Sequence, residues 1–120
     1  MKKKLLLLVI NLLLVCAYVY SQSWDSVGTG ITGYGVFTMS VYNSEIYVGG
    51  QYGKAGGVPV NNIAKWNGSS WSVVGTGITG SVPFALTSVV YNSELYVGGE
   101  FSSAGGNPSS YIAKWNGTNW

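Results

Sequence analysis

The chain has 120 residues and a formal charge of +2, but three of its six lysines stand at residues 2–4. Beyond residue 21, three Lys face four Asp and Glu, so the net charge there is −1 and a basic nucleic-acid-binding surface is excluded. The chain has no His, and its one Cys, Cys16, lies in the N-terminal segment. Residues 22–120 therefore lack the side chains needed for Ser-His-Asp or Cys-His catalysis and for a His or Cys metal site. We expect no cofactor.

The first element in the chain is a predicted secretory signal peptide, residues 1–21. Residues 2–4 form a basic start, residues 5–19 are almost wholly apolar, and residues 19–21 supply a small residue at a cleavage point. An uncleaved membrane anchor is the alternative, although 15 helical residues span only about 22 Å of a ~30 Å hydrocarbon core. We expect a protein that is secreted or held at the cell surface, with the membrane involved only through this export signal.

The rest of the chain is an internal repeat with a period near 48. Residues 23–33 return as residues 70–80 with nine of eleven positions identical, and residues 41–57 return as residues 90–106 with twelve of seventeen identical. All 18 Gly follow the predicted signal peptide, a density that argues against helices because an interior Gly costs about 1 kcal/mol relative to Ala. Repeats of this length are typical of units that bury their apolar faces against neighbouring units.

The two units predict the same order of short strands. In the first unit the strands cover residues 36–42, 45–48, 62–66 and 70–74, with turns at Asn43-Ser44 and Asn67-Gly68, the latter of type I′ with both φ positive. In the second unit they cover residues 84–91, 94–97 and 111–115, with a short piece at 119–120. Four antiparallel strands in about 40–50 residues is the spacing of a β-propeller blade. The predicted fold class is all-β, with two four-stranded antiparallel blades of an incomplete propeller.

Both units resemble kelch-type propeller repeats. In each, a strand ends in a double glycine and is followed by two tryptophans; the residues are Gly49, Gly50, Trp66 and Trp71 in the first unit and Gly98, Gly99, Trp115 and Trp120 in the second. The closer resemblance is to repeats of the form YNSELYVGGEF…AGG…IAKWNG…W in secreted and surface proteins, and the AGG loops depart from the standard kelch pattern. The resemblance implies that these eight residues are structural.

The predicted organisation is a signal peptide at residues 1–21 followed by two repeats at residues 22–120. The first blade covers about residues 34–75, the second about residues 82–120, and residues 23–28 form an orphan closing strand equivalent to a fourth strand. Two blades do not close a ring that needs about 4–8. We therefore expect an N-terminal fragment whose further blades follow in cis, with self-assembly of several copies as the alternative.

The charged residues carry little sign of catalysis. Glu45 and Glu94 share one repeat position, and Lys65 and Lys114 share another, which favours structural roles. The units differ most in their loops, and loops on a rigid scaffold carry binding residues. The candidate binding-loop residues are Gln51, Tyr52, Lys54, Glu100, Phe101 and Tyr111.

The function predicted from these patterns is that of a non-enzymatic binding or adhesion scaffold for a protein or glycan ligand. The alternative is a carbohydrate-active or oxidase-type propeller enzyme whose catalytic residues lie in further blades. Acidic or His residues that break the repeat downstream, in those further blades, would favour that alternative.

Overall fold

The computed structural model describes residues 23–120, and the predicted signal peptide lies outside the described residues. This part of the chain forms eleven strands, all paired antiparallel. They are β1 (Ile31–Tyr42), β2 (Glu45–Ala55), β3 (Val58–Pro59), β4 (Ile63–Trp66), β5 (Trp71–Val73), β6 (Ile78–Thr79), β7 (Phe84–Tyr91), β8 (Glu94–Glu100), β9 (Ser103–Ala104), β10 (Asn107–Pro108) and β11 (Ile112–Trp115). Within residues 23–120, no helix is long and apolar enough to cross a membrane.

The first unit forms the N-terminal sheet, a meander in the order β1-β2-β4-β5 with the short β3 paired to the end of β2. Its first two strands are a hairpin in which Tyr42 pairs with Glu45. The connecting residues Asn43 and Ser44 have positive φ values of 49° and 62°. Two positive φ values give a turn whose twist matches that of paired strands. The predicted two-residue turn and four-stranded order are confirmed for this unit.

The second strand, β2, is longer than the sequence predicts. The double glycine expected to end it lies inside the strand, where Gly49 pairs with Thr38 and Gly50 pairs with Val36. A side chain is excluded at Gly50 because a Cβ there would overlap the carbonyl oxygen of Gly35. The two glycines therefore allow the hairpin strands to approach closely, and they do not terminate the strand.

The turn at Asn67-Gly68 forms, but the predicted type I′ geometry is wrong. Of the two residues only Gly68 has positive φ, at 100°. The side chain of Asn67 accepts hydrogen bonds from the backbone N–H groups of Ser69 and Ser70, each at 2.9 Å. This side chain replaces a backbone acceptor in the turn, and the equivalent turn at Asn116 is built in the same way.

Residues 23–28 do not form the orphan strand that their repeat position predicts. Their equivalents in the first unit form β5 by pairing with β4. In the described chain no strand pairs with residues 23–28, and Trp24 is fully exposed. Extended backbone needs a partner for its N–H and C=O groups, which explains why the equivalent segment gives a strand in one unit and none here.

The second unit divides between a C-terminal sheet, in the order β7-β8-β11, and a small sheet, in the order β6-β9-β10. The short strand expected at residues 119–120 does not form. The indole N–H of Trp120 nevertheless donates to the carbonyl oxygen of Val74 at 2.9 Å, as Trp71 does to Val27 at 2.9 Å. The last tryptophan of each unit therefore forms a hydrogen bond to the segment that precedes the first strand of that unit.

The main hydrophobic core lies between the N-terminal and C-terminal sheets, which stack face to face. It includes Tyr42, Tyr47 and Ile63 from one sheet and Leu95, Val97 and Trp115 from the other. A smaller cluster lies on the opposite face of the N-terminal sheet, around Val48, Tyr52 and Ala64. Both sheets are open at their edges. The described chain thus forms three antiparallel sheets, of which the N-terminal and C-terminal sheets stack with one face of each buried against the other.

Candidate functional site

Two of the positions at which the second unit differs from the first lie close together in the structure. Glu100 takes the place of Gln51, and Tyr111 takes the place of Asn62. Glu100 is the last residue of β8, where it pairs with Phe84. The chain then returns through β9 and β10, so Tyr111 arrives beside Glu100 just before β11 begins.

These two residues line one open pocket, which we call the Tyr111 pocket. Its volume is about 120 Å³. The lining residues are Ser81, Val82, Glu100, Phe101, Ser102 and Tyr111. Of these only Phe101 is buried. The pocket thus joins a carboxylate, two hydroxyls and a phenol ring at one solvent-exposed place.

Tyr111 is held there by backbone hydrogen bonds on both sides. Its N–H donates to the carbonyl oxygen of Phe101 at 3.1 Å, and its carbonyl oxygen accepts from Gly99 at 2.9 Å. Its φ is +68°, in the left-handed region that disfavours a bulky residue. Its side chain is 67% exposed. The backbone is therefore fixed while the ring faces solvent.

Asn62 has the same backbone conformation, with φ of +62°, but a different role. Its side-chain oxygen accepts from the N–H of Tyr52 at 3.2 Å, and its amide donates to the carbonyl oxygen of Ile78 at 2.9 Å. Asparagine tolerates positive φ better than most residues. This position is structural in the first unit, and it offers an aromatic surface in the second.

The six predicted binding residues fall into two groups. Glu100, Phe101 and Tyr111 come together at the pocket, with Phe101 as its buried floor. Gln51, Tyr52 and Lys54 lie on β2 in the first unit and do not line the Tyr111 pocket. Tyr52 is buried, and its hydroxyl donates to the carbonyl oxygen of Val48. Burial raises the pKa of Tyr52, as expected for a structural phenol.

Three pocket residues were not foreseen as candidates: Ser81, Val82 and Ser102. The sequence does contain a signal for the first two, because the repeat offset changes from 47 to 49 between residues 80 and 84. The two added residues lengthen the segment that enters β7. Ser102 stands where the first unit has Gly53, so it too marks a difference between the units.

The eight residues predicted to be structural, four glycines and four tryptophans, occupy equivalent places in the two units. A Cβ on Gly99 would overlap the Phe84 carbonyl, as one on Gly50 would overlap Gly35. The tryptophans pack in matching pairs, with ring centroids 5.4 Å apart for Trp66 and Trp71 and 5.5 Å apart for Trp115 and Trp120. These contacts repeat between the units.

The repeated charges form ion pairs across neighbouring strands. Lys65 Nζ lies 2.7 Å from Glu45 Oε2, and Lys114 Nζ lies 2.9 Å from Glu94 Oε2. The hydrogen bond to the carboxylate raises the pKa of each lysine. Among residues 23–120, no group of three or more His, Cys, Asp and Glu is placed to hold a metal ion. The four repeated charges thus pair with one another between neighbouring strands, and Glu100 takes part in neither pair.

Comparison with known proteins finds no match, either to a protein-family model, to a curated protein or to a solved structure.

Proposed function

We propose that this protein is an exported, non-catalytic scaffold of kelch-like β-propeller repeats that binds a glycan outside the cell or at its surface. The observation that carries the proposal is the Tyr111 pocket, formed where the second unit departs from the first. Export is supported by the pattern of residues 1–21, and the propeller assignment by the repeat period and the four-stranded meander of the first unit.

The side chains of the pocket suit a polyhydroxylated ligand. The exposed Tyr111 ring offers an apolar face on which a sugar ring can pack, with a hydroxyl at its edge. Glu100 accepts hydrogen bonds from sugar hydroxyls, and Ser81 and Ser102 can donate or accept them. Because the pocket is small and open, it fits one edge of a sugar whose remainder lies across the surface.

The strained backbone of Tyr111 supports a binding role. A left-handed conformation costs an L-residue about 1–2 kcal/mol. Asn62 shows that asparagine fits the same backbone, so the fold does not require a tyrosine here. Residues held in such conformations cluster at ligand-binding sites, where surrounding structure fixes them. A tyrosine in an unfavourable backbone conformation whose ring is mostly exposed favours a role in binding over a role in packing.

A glycan array with the labelled full chain tests the proposal. We expect binding to one class of glycan, and we expect Tyr111→Asn to weaken it about tenfold, the effect of losing one stacking contact worth about 1.4 kcal/mol. Glu100→Gln, which keeps the size of the side chain, should weaken it further in the double variant. Tyr34→Asn is the matched control, because Tyr34 is also exposed but does not line the pocket.

Two results would count against the proposal. One is binding that survives Tyr111→Asn and Glu100→Gln unchanged. The other is a full chain that is folded but binds no glycan on the array, which would leave a protein ligand as the partner to be sought at the same pocket.

A further inference from the structure

Each of the two stacked sheets has one buried face and one free face. The free face of each sheet carries the repeat equivalents of the residues that the other sheet buries in their shared interface. We call the face of the N-terminal sheet that points away from the C-terminal sheet the outer face, and the corresponding free face of the C-terminal sheet the far face. Alternation along the strands places Met39 and Ile46 on the outer face and Val89 and Tyr91 on the far face.

The far face repeats the side chains that the N-terminal sheet buries. Tyr42 is 4% exposed and its equivalent Tyr91 is 64% exposed. Tyr91 still packs edge-on against Tyr96, with centroids 6.3 Å apart, as Tyr42 does against Tyr47 at 5.5 Å. Ile63 is buried whereas its equivalent Ile112 is exposed. The far face is therefore a preformed copy of a surface that packs well when it has a partner.

The outer face carries the repeat equivalents of the residues on the buried face of the C-terminal sheet. Leu95 is fully buried in the core, but its equivalent Ile46 is 40% exposed. Around Ile46 lies an apolar groove of about 270 Å³. It is lined by Val27, Gly30, Ile31, Val36, Met39, Ile46, Val48, Trp66 and Trp71. A contiguous apolar surface of this kind is typical of an interaction site.

Two serines that meet in the internal interface are replaced by apolar residues at the equivalent positions of the two free faces. Inside, the Ser88 hydroxyl lies 2.7 Å from that of Ser40 and 2.8 Å from that of Thr38. The equivalent of Ser88 on the outer face is Met39, and the equivalent of Ser40 on the far face is Val89. A polar pair within the chain thus corresponds to an apolar pair between the free faces, and both residues are exposed.

From these relationships we propose that the outer face of one copy binds the far face of a second copy of this chain, head to tail. The occupant is identified by the internal interface, which shows how the repeat equivalents of these two surfaces pack. Met39 of one copy contacts Val89 of the next. Because the two surfaces differ, the contact is heterologous, and it adds copies until a ring closes or a filament grows.

Complementary blocking variants test this proposal on the full chain. Sedimentation velocity should show assembly of the wild-type chain over a series from about 1 μM to about 1 mM, the range from moderate to very weak association. Met39→Lys blocks only the outer face, and Val89→Lys blocks only the far face. Each variant alone should stay monomeric, because a buried lysine without a partner is costly. An equimolar mixture should give a dimer that does not grow, since each variant keeps the face that the other lacks.

Tyr34→Lys is the control for added charge, because Tyr34 is exposed and lies in neither hydrophobic cluster; it should assemble like the wild type. Circular dichroism checks that each variant keeps its β structure. A wild-type chain that remains monomeric across the series would overturn the proposal and assign the faces to another partner. A Val89→Lys variant that still dimerises while Met39→Lys does not would also overturn it, because that result indicates pairing between two outer faces.

Discussion

Asn62 and Tyr111 occupy the same repeat position with nearly the same backbone, at φ of +62° and +68°, yet one side chain is buried and the other is exposed. Asn62 joins the N-terminal sheet to β6 through the carbonyl oxygen of Ile78. Tyr111 lines an open pocket beside Glu100. The two units thus place the same backbone position in two different settings. Asn62 makes structural hydrogen bonds, whereas the Tyr111 side chain lines an open pocket.

Replacement of Tyr111 by asparagine should separate stability from binding. Asparagine tolerates the left-handed conformation better than tyrosine, so Tyr111→Asn should raise the free energy of unfolding by about 0.5–1 kcal/mol. The same change removes the exposed ring and should weaken glycan binding. Urea unfolding and glycan titration on one preparation measure both effects, and a variant that is less stable than the wild type would contradict the strain assigned to Tyr111.

The loop glycines should differ in their tolerance of alanine. Gly56 and Gly57 both have positive φ, at 58° and 80°. A Cβ on Gly56 would overlap the Trp71 ring, whereas nothing lies within 4 Å of a Cβ on Gly57. Gly57→Ala should therefore cost about 1 kcal/mol from its conformation alone. Gly56→Ala should cost more than about 2 kcal/mol, because the clash adds to the same strain.

Urea midpoints of the two variants, with the wild-type slope, give this comparison directly. Equal losses at the two positions would mean that Trp71 is not packed over Gly56 in the way the structure has it.

The hydroxyl of Ser88 should couple the two stacked sheets. It is half-buried and meets the hydroxyls of Thr38 and Ser40. Ser88→Ala leaves those groups without this partner and should cost about 1–2 kcal/mol. A double-mutant cycle with Thr38→Val isolates the contact, and the double variant should lose less than the sum of the two single changes. Additive losses would show that the two hydroxyls do not interact.

The buried phenol of Tyr52 should make the fold sensitive to high pH. Burial raises its pKa in the folded state, while in the unfolded chain a tyrosine ionises near its usual value of about 10. The stabilising effect of the neutral phenol is fully present below pH ~10 and declines as the pH rises above that value. Unfolding free energy should therefore fall above pH ~10.

Tyr52→Phe should make this decline shallower, although it also removes the hydrogen bond to Val48 and lowers stability at neutral pH. The measurement is the urea midpoint as a function of pH, with Tyr34→Phe as the matched change on an exposed side chain. An identical pH slope for Tyr52→Phe and the wild type would show that Tyr52 does not contribute to the alkaline transition.

Much of the fold follows from the sequence because turns and alternation are local signals. The hairpin turn at Asn43-Ser44 and the whole of β7 lie where the pattern predicts them. Four two-residue strands, β3, β6, β9 and β10, were not predicted, because two residues are too few to show alternation. The end of β2 was also missed: a double glycine commonly ends a strand, but here it allows two backbones to approach.

The candidate site was predictable only in part for the same reason. Treating residues 51–54 as a loop makes Tyr52 a candidate ligand contact, whereas the strand continues through it and places its side chain in the core. Glu100 and Tyr111 could be identified because they break the repeat. Their approach to Ser81 depends on how the segment before β7 folds back, which no local pattern specifies.

The most direct test of the account is hydroxyl-radical footprinting of the tyrosines of the dilute full chain. The central claim is that equivalent residues differ in exposure because one face of each unit is buried on its neighbour. The account predicts strong modification of Tyr34, Tyr91 and Tyr111, and protection of Tyr42, Tyr47 and Tyr52. Modification of Tyr42 as readily as Tyr91 would contradict it, because the stacked interface between the two sheets would then not exist.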